Sequence, residues 1–180
     1  MKRITVCVTG GIAAYKAADV VSALRKEDFD VRVIMTDHAC EFITPLTFEI
    51  LSGHDVAVDT FEPSCDGKIH HITLGQETDA LLIIPATANC LAKCAHGVAD
   101  DMLTSTFMAA TCPVIMCPAM HVSMYEKSAT QENIQLLEQR GVIMVGPCKG
   151  RLASGEIATG HVASLDEIIS SVKQTLGIHH

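Results

Sequence analysis

Apolar residues along this chain fall into short, nearly continuous runs, separated by stretches in which they recur every three or four positions. The runs are Ile4-Thr5-Val6-Cys7-Val8, Asp30-Val31-Arg32-Val33-Ile34-Met35, Ala80-Leu81-Leu82-Ile83-Ile84, Pro113-Val114-Ile115-Met116-Cys117 and Val142-Ile143-Met144-Val145. Runs of this length without a helical gap predict strands buried on both faces, as in a parallel sheet. Helical spacing follows the first run at Ile12, Ala13, Ala17, Val20, Val21 and Leu24, and helices are also predicted over 102–110, 128–140 and 164–176. Ser128 with Gln131, and Ser164 with Glu167, have capping-box spacing, and Gly141 is a stop signal. Between these, 41–43 and 45–51 read as short helices, with Pro45 suited to a helix start. Residues 55–61 read as a weak strand and 62–68 as a turn-rich loop, after which His70-His71-Ile72-Thr73-Leu74 leads into a short helix. Residues 149–161 read as a long glycine-rich loop. Strand alternating with helix predicts an α/β fold, a doubly wound Rossmann-like parallel sheet in one domain over 1–178.

In such a sheet ligands bind at the carboxyl ends of the strands. The stretch 79–101 is the clearest case. Pro85 cannot donate a ladder hydrogen bond and is expected to end its strand. Ala86, Thr87, Ala88 and Asn89 then give small side chains beside hydrogen-bonding ones, so a flat ligand can lie close to the backbone, while Thr87 or Asn89 can equally cap the following helix. Thr9-Gly10-Gly11 ends the first run at a helix start, whose free N–H groups and partial positive charge suit a phosphate. The two glycines make neither a GxGxxG fingerprint nor a Walker loop. Thr36-Asp37-His38 and Pro118-Ala119-Met120-His121 occupy equivalent strand ends, Thr36 as a second candidate phosphate contact.

Composition narrows the choice. The chain has 180 residues, 48% of them hydrophobic and 4% aromatic with no Trp, so the core is aliphatic and methionine-rich. A net charge of −8 argues against a general binder of nucleic acid or acidic membrane. No apolar run reaches the ~18 residues of a membrane span. Eight Cys occur without a CxxC pair, and Met1-Lys2-Arg3 leads straight into a strand pattern, so we expect no signal peptide and a reduced cytoplasmic protein with buried, inert thiols. Cys90 and Cys94 lie one helical turn apart and with His96 make only an incomplete zinc set, so no metal is expected. His179 and His180 read as a purification-tag remnant.

Read together, Gly10-Gly11-Ile12-Ala13-Ala14-Tyr15-Lys16, Phe42-Ile43-Thr44-Pro45-Leu46, Ser52-Gly53, Pro85-Ala86-Thr87-Ala88-Asn89, Pro118-Ala119-Met120 and Ala129-Thr130-Gln131-Glu132-Asn133 resemble the homo-oligomeric flavin-containing cysteine decarboxylases, most nearly those acting on phosphopantothenoylcysteine in coenzyme A synthesis. The resemblance runs from Ile4 to the last helix. The synthetase domain often fused after such a domain is not expected within these 180 residues. The resemblance implies bound FMN, held by Gly10, Gly11, Ile12, Thr36, His38, Thr87, Ala88, Asn89 and Cys90, with Ala119 near the ring. It implies that His71 is the base, with His70 a bystander, and that His71 faces the flavin of an adjacent subunit in a homotrimer or homododecamer. Met120, His121, Arg151, Ala153 and Val162 fall on substrate-binding positions.

The implied chemistry explains the flavin. Loss of CO2 from a cysteine carboxylate leaves a carbanion with no sink. Oxidation of the Cβ–S end to a thioaldehyde supplies one, with the flavin taking the hydride. An imidazole of ordinary pKa near 6.5 suits the removal of the thiol proton. Two residues depart from the family pattern. Ser154 stands where the family's coenzyme A branch has a Cys that helps return the electrons, and an alkyl hydroxyl is a far poorer acid than a thiol. His121 stands where the family has an Asn holding the substrate carboxylate. The leading expectation is therefore decarboxylation of phosphopantothenoylcysteine or an analogue with an impaired reductive half-reaction. Oxidative decarboxylation of a peptide's C-terminal cysteine, releasing an enethiol, and a flavin-binding regulatory or scaffold role with little activity stay open beside it.

Overall fold

The computed structural model describes residues 1–61, 69–151 and 157–178, without the side chains of Arg151 and Ile157. In chain order the elements are β1 (Arg3–Val8), α1 (Ala14–Lys26), β2 (Asp30–Met35), α2 (Asp37–Cys40), α3 (Pro45–Ser52), β3 (Val56–Ala57), α4 (His70–Gln76), β4 (Ala80–Ala86), α5 (Ala88–His96), α6 (Met102–Ala109), β5 (Val114–Pro118), α7 (Val122–Tyr125), α8 (Ser128–Gln139), β6 (Ile143–Met144), β7 (Cys148–Arg151), β8 (Ile157–His161) and α9 (Leu165–Thr175). A parallel six-stranded sheet has the order β3-β2-β1-β4-β5-β6.

Successive residues of a strand face opposite sides. Val6 and Val8 of β1 therefore join Val20, Val21 and Leu24 of α1 and Ile168 and Val172 of α9 in one core. Cys7 joins Leu81, Ile83 and Met116 in a second core under Leu91, Leu103 and Leu137 of α5, α6 and α8. Helices cover both faces, so the strands are apolar on both sides, with Thr5 in β1 and Arg32 in β2 the polar residues inside the runs.

Several boundaries differ from the sequence reading. β4 continues through Pro85 to Ala86, because its register with β5 shifts between Ile83 and Ala86 and the missing N–H falls at that irregularity. The first short helix lies over Asp37–Cys40 rather than 41–43, since Thr36 Oγ1 accepts from the Ala39 N–H and starts it earlier. β3 and β6 are shorter than expected. Ser128 is not a cap: Lys127 holds that position without a side-chain bond, and Gln131 instead donates to the Tyr125 carbonyl. The expected capping box at Ser164 and Glu167 is present, and a second joins Asp101 to Thr104. The supposed glycine-rich loop over 149–161 holds an antiparallel pair, β7 with β8; the expected turn-rich loop at 62–68 lies outside the described residues.

At the amino ends of the strands, the buried Asp30 accepts from Arg3 Nε at 2.8 Å and pairs with His54 Nε2 at 3.0 Å. Arg32 Nε stands 3.4 Å from the same carboxylate, an ion pair without hydrogen-bond geometry. Asp79 ties Lys2 and the Arg3 N–H to the start of β4, each at 2.8 Å.

Candidate active site

The carboxyl ends of β1, β2, β4 and β5 open on one cavity of about 980 Å³. Its walls are Thr9, Gly10, Gly11 and Ile12 after β1, Thr36 and His38 after β2, Thr87, Ala88, Asn89 and Cys90 after β4, and Ala119, Met120 and His121 after β5. Every residue assigned to the flavin by resemblance therefore lines one space. Parallel strands end side by side, and each chain turns back into a helix at that edge, so residues distant in sequence meet there.

Close backbone approach explains the glycines. A Cβ on Gly10 would stand 2.3 Å from His38 Cβ and 2.8 Å from its carbonyl carbon, whereas on Gly11 the nearest atom would be Thr87 Cγ2 at 3.4 Å. Gly10 is thus required for β1 and α2 to meet, and Gly11 leaves open wall. α1 begins without a side-chain cap; the Ala14 N–H donates to the Gly11 carbonyl at 2.9 Å and the Lys16 N–H to the Ala13 carbonyl at 3.0 Å, and Gly10 to Ala13 line the cavity beside the helix's partial positive end. Thr87 Oγ1 accepts from the Cys90 N–H and lies 3.3 Å from the Thr9 hydroxyl, which donates to the Pro85 carbonyl at 2.6 Å. These bonds hold the 85–90 turn rigid while Ala88 and Asn89 remain on the wall. An uncapped helix start, a glycine turn and a small-residue wall suit a phosphate at one end and a flat ring along the rest, so the residues present fit FMN.

The cavity also contains groups that the sequence reading does not reach. Lys93 donates to Asp100 at 2.7 Å and Asp101 at 3.1 Å, and the Asp100 hydrogen bond raises the lysine's pKa. Burial acts to raise Asp101, but its bonds from the Thr104 N–H and hydroxyl and from Lys93 prevail and hold it below the usual carboxylate range. Cys90 is pushed well up by its contact with Cys94 and by burial, so it remains a thiol. Lys16, Gly160 and His161 line the cavity as well. Lys16 belongs to the quoted 10–16 motif and its place in the first turn of α1 was a usable signal. His161 had none, since it falls in the supposed loop.

Met120 and Val162 both line the cavity, and the Met120 N–H donates to the Gly160 carbonyl at 3.0 Å, docking β8 beside the end of β5. His121 starts α7, its Nδ1 accepting from the Ser123 N–H at 3.2 Å. Ala153 and Ser154 lie outside the described residues, as does the side chain of Arg151. His71 sits in the first turn of α4, with Gly75 allowing α4 to press against the Thr106 carbonyl of α6. Among the described residues His71 Nδ1 and His70 Nδ1 are buried without a hydrogen-bond partner, and neither histidine lines the cavity of its own chain. No metal-ligand cluster occurs among the described residues.

The family model named Flavoprotein matches residues 1–177. This chain belongs to the flavoprotein family. It is 44% identical over 168 residues to the coenzyme A biosynthesis bifunctional protein CoaBC of Bacillus subtilis (strain 168), an alignment covering 93% of this flavoprotein and 41% of the relative. The chain thus spans less than half the length of that curated relative. Among solved structures it resembles the FMN-dependent cysteine decarboxylase SpaF, with TM-score 0.85, 32% identity and coverage of 98% of this chain and 95% of that one. It also resembles a mutant PPC decarboxylase complexed with pantothenoylaminoethenethiol, with TM-score 0.85, 28% identity and coverage of 96% and 97%. The doubly wound architecture expected from the apolar runs is the one these structures share. Among the described residues no helix is long and apolar enough to cross a membrane.

Proposed function

We propose that this flavoprotein is an FMN-dependent carboxy-lyase acting on a cysteine-derived carboxylate, with 4′-phosphopantothenoylcysteine of coenzyme A synthesis as its substrate. The observation that carries this reading is that the positions the resemblance assigns to the flavin all line one cavity. The likeness to CoaBC and to a PPC decarboxylase supports the substrate class. Bound FMN would supply the two-electron oxidation that gives the departing CO2 an electron sink. Gly10, Gly11, Ile12, Thr36, His38, Thr87, Ala88, Asn89 and Cys90 would hold its phosphate and ribityl chain, and Ala119 would lie near the ring.

His71 would take the thiol proton as general base in the cavity of a neighbouring copy, because it stands off its own chain's cavity. Exposed Ile69, Ile72, Val98 and Met108 lie on or beside α4 and α6, an apolar surface that a second copy would cover. This supports a homotrimer, alone or repeated in a dodecamer. His121 would offer its Nε2–H to the substrate carboxylate, with Met120 and Val162 packing beside it, and Arg151 and Ala153 would also bind the substrate, as the resemblance implies. Ser154 would slow the return of electrons. The described cysteines are all free thiols, which supports a cytoplasmic setting.

The deciding experiment reconstitutes purified protein with FMN and mixes it anaerobically with 4′-phosphopantothenoylcysteine. Flavin bleaching with CO2 release and slow recovery is expected. A protein that takes up no flavin, or releases no CO2 from any cysteine substrate, overturns the reading. The likeness to SpaF favours a second reading, a cysteine decarboxylase acting on a peptide C-terminus. Faster CO2 release from C-terminal cysteine peptides than from the pantetheine substrate would select it.

A further inference from the structure

The two lysines of the cavity wall differ in what they face. Lys93 is occupied by Asp100 and Asp101. Lys16 has no carboxylate partner among the described residues; its Nζ lies 3.3 Å from His161 Nε2, and both side chains line the cavity. His161 Nδ1 lies 2.9 Å from the Val162 carbonyl, which only accepts, so Nδ1 carries the proton and Nε2 is left as the acceptor for the ammonium. The ring packs over Gly150, where an added Cβ would stand 3.0 Å from His161 Cγ. The ammonium is therefore held by an imidazole nitrogen and not by a carboxylate, and it has two further N–H donors.

The position of this pair matters. His161 follows Gly160, which is bonded to Met120 at the end of β5, whereas Thr36 and His38 close β2. Only β4 lies between β1 and β5, so the glycine turn after β1 and the β5 side of the cavity are about 10 Å apart at the usual strand spacing. The glycine turn and α1 start serve an anion near β1 and β2. Lys16 and His161 place an uncompensated cation on the β5 side.

We propose that Lys16 and His161 form a second anion subsite, which takes a non-reacting phosphate monoester on the ligand that shares the cavity with the cofactor. A reacting carboxylate is the wrong occupant, because an ion pair to the group that must leave as CO2 would stabilise the ground state more than the transition state. The inference rests on the proposed function for the identity of that ligand.

The test uses the FMN-loaded protein and calorimetric titration with inorganic phosphate, 4′-phosphopantetheine and pantetheine. The phosphorylated pantetheine is expected to bind about tenfold or more tightly than the unphosphorylated one, the size of a charge-assisted hydrogen bond. K16M and H161L are expected to abolish that preference, K16R to keep it, and all three to retain FMN within about twofold of wild type, the tolerance allowed to residues outside the cofactor contacts. No preference in the wild type, or an undiminished preference in K16M, overturns the proposal. Loss of FMN from K16M also overturns it, by assigning the lysine to the cofactor's phosphate. A phosphate preference in a protein that releases no CO2 would uphold the subsite while rejecting the decarboxylase reading, so the two failures are distinguishable.

Discussion

Ser123 fixes the tautomer of His121. The Ser123 backbone N–H donates to His121 Nδ1 at 3.2 Å, and its hydroxyl lies 2.8 Å from the same nitrogen. A backbone N–H only donates, so the neutral ring carries its proton on Nε2. His161, on the same cavity, has the opposite tautomer, since its Nδ1 faces a carbonyl. One imidazole thus presents a donor and the other an acceptor. Nitrogen NMR of histidine-labelled protein at about pH 8, above the ordinary imidazole pKa, should show an Nε2–H ring for His121 and an Nδ1–H ring for His161. The reverse assignment would remove His121 as a donor.

The same bond makes His121 the cap of α7. H121N should preserve the cap and leave stability within about 0.5 kcal/mol, whereas H121A should cost about 1 kcal/mol in urea denaturation. If H121N also raises CO2 release, the natural imidazole is attenuating the reaction. Unchanged release would show that donor shape is unimportant there.

Gly10 and Gly11 should respond differently to a methyl group. At Gly10 the added Cβ meets the His38 backbone, which cannot swing aside, so G10A should cost about 1–3 kcal/mol and weaken FMN binding. At Gly11 the nearest contact is the edge of van der Waals range, and G11A should fold normally. Apoprotein titration followed by flavin fluorescence measures both. Equal tolerance would mean that Gly10 does not set the approach of β1 to α2.

Asp30 links acid to stability. Burial acts to raise its pKa, but the Arg3 hydrogen bond and the charges of Arg32, Arg3 and His54 outweigh it and hold the carboxyl below its ordinary value. Its contribution is therefore complete above the unfolded carboxylate pKa of about 3.9 and is lost as pH falls through the lower folded value. Urea midpoints should fall below about pH 4 in the wild type and less so in D30N, which should already be weaker at neutral pH by about 1–3 kcal/mol. A D30N protein with the wild-type acid profile would transfer the effect to another group.

Thiol accessibility should separate the cysteines. Cys7, Cys90, Cys94 and Cys117 are buried, and burial raises Cys117 strongly, so these four should resist a thiol reagent in the folded protein. Cys40, Cys112 and Cys148 are partly accessible and should react slowly, with burial raising each above its ordinary value. Prompt reaction of the buried four in native protein would mean that the cavity floor opens.

The sequence by itself determined the doubly wound sheet, because strands covered on both faces are apolar on both, with few exceptions such as Thr5 and Arg32, and that signal is local. It also marked Gly10, Thr36, Thr87 and Ala119 as strand-end positions, and tertiary structure gathered them around one space. Helix starts were legible where the capping partner is three residues away, as at Ser164, and misread at Ser128, where Gln131 bonds back to Tyr125 instead. Only the tertiary structure decided that 148–161 contains paired strands, that His161 meets Lys16, and that His71 stands off its own cavity. Each of these depends on which distant backbone lies alongside, a matter of strand order and packing that no local periodicity encodes.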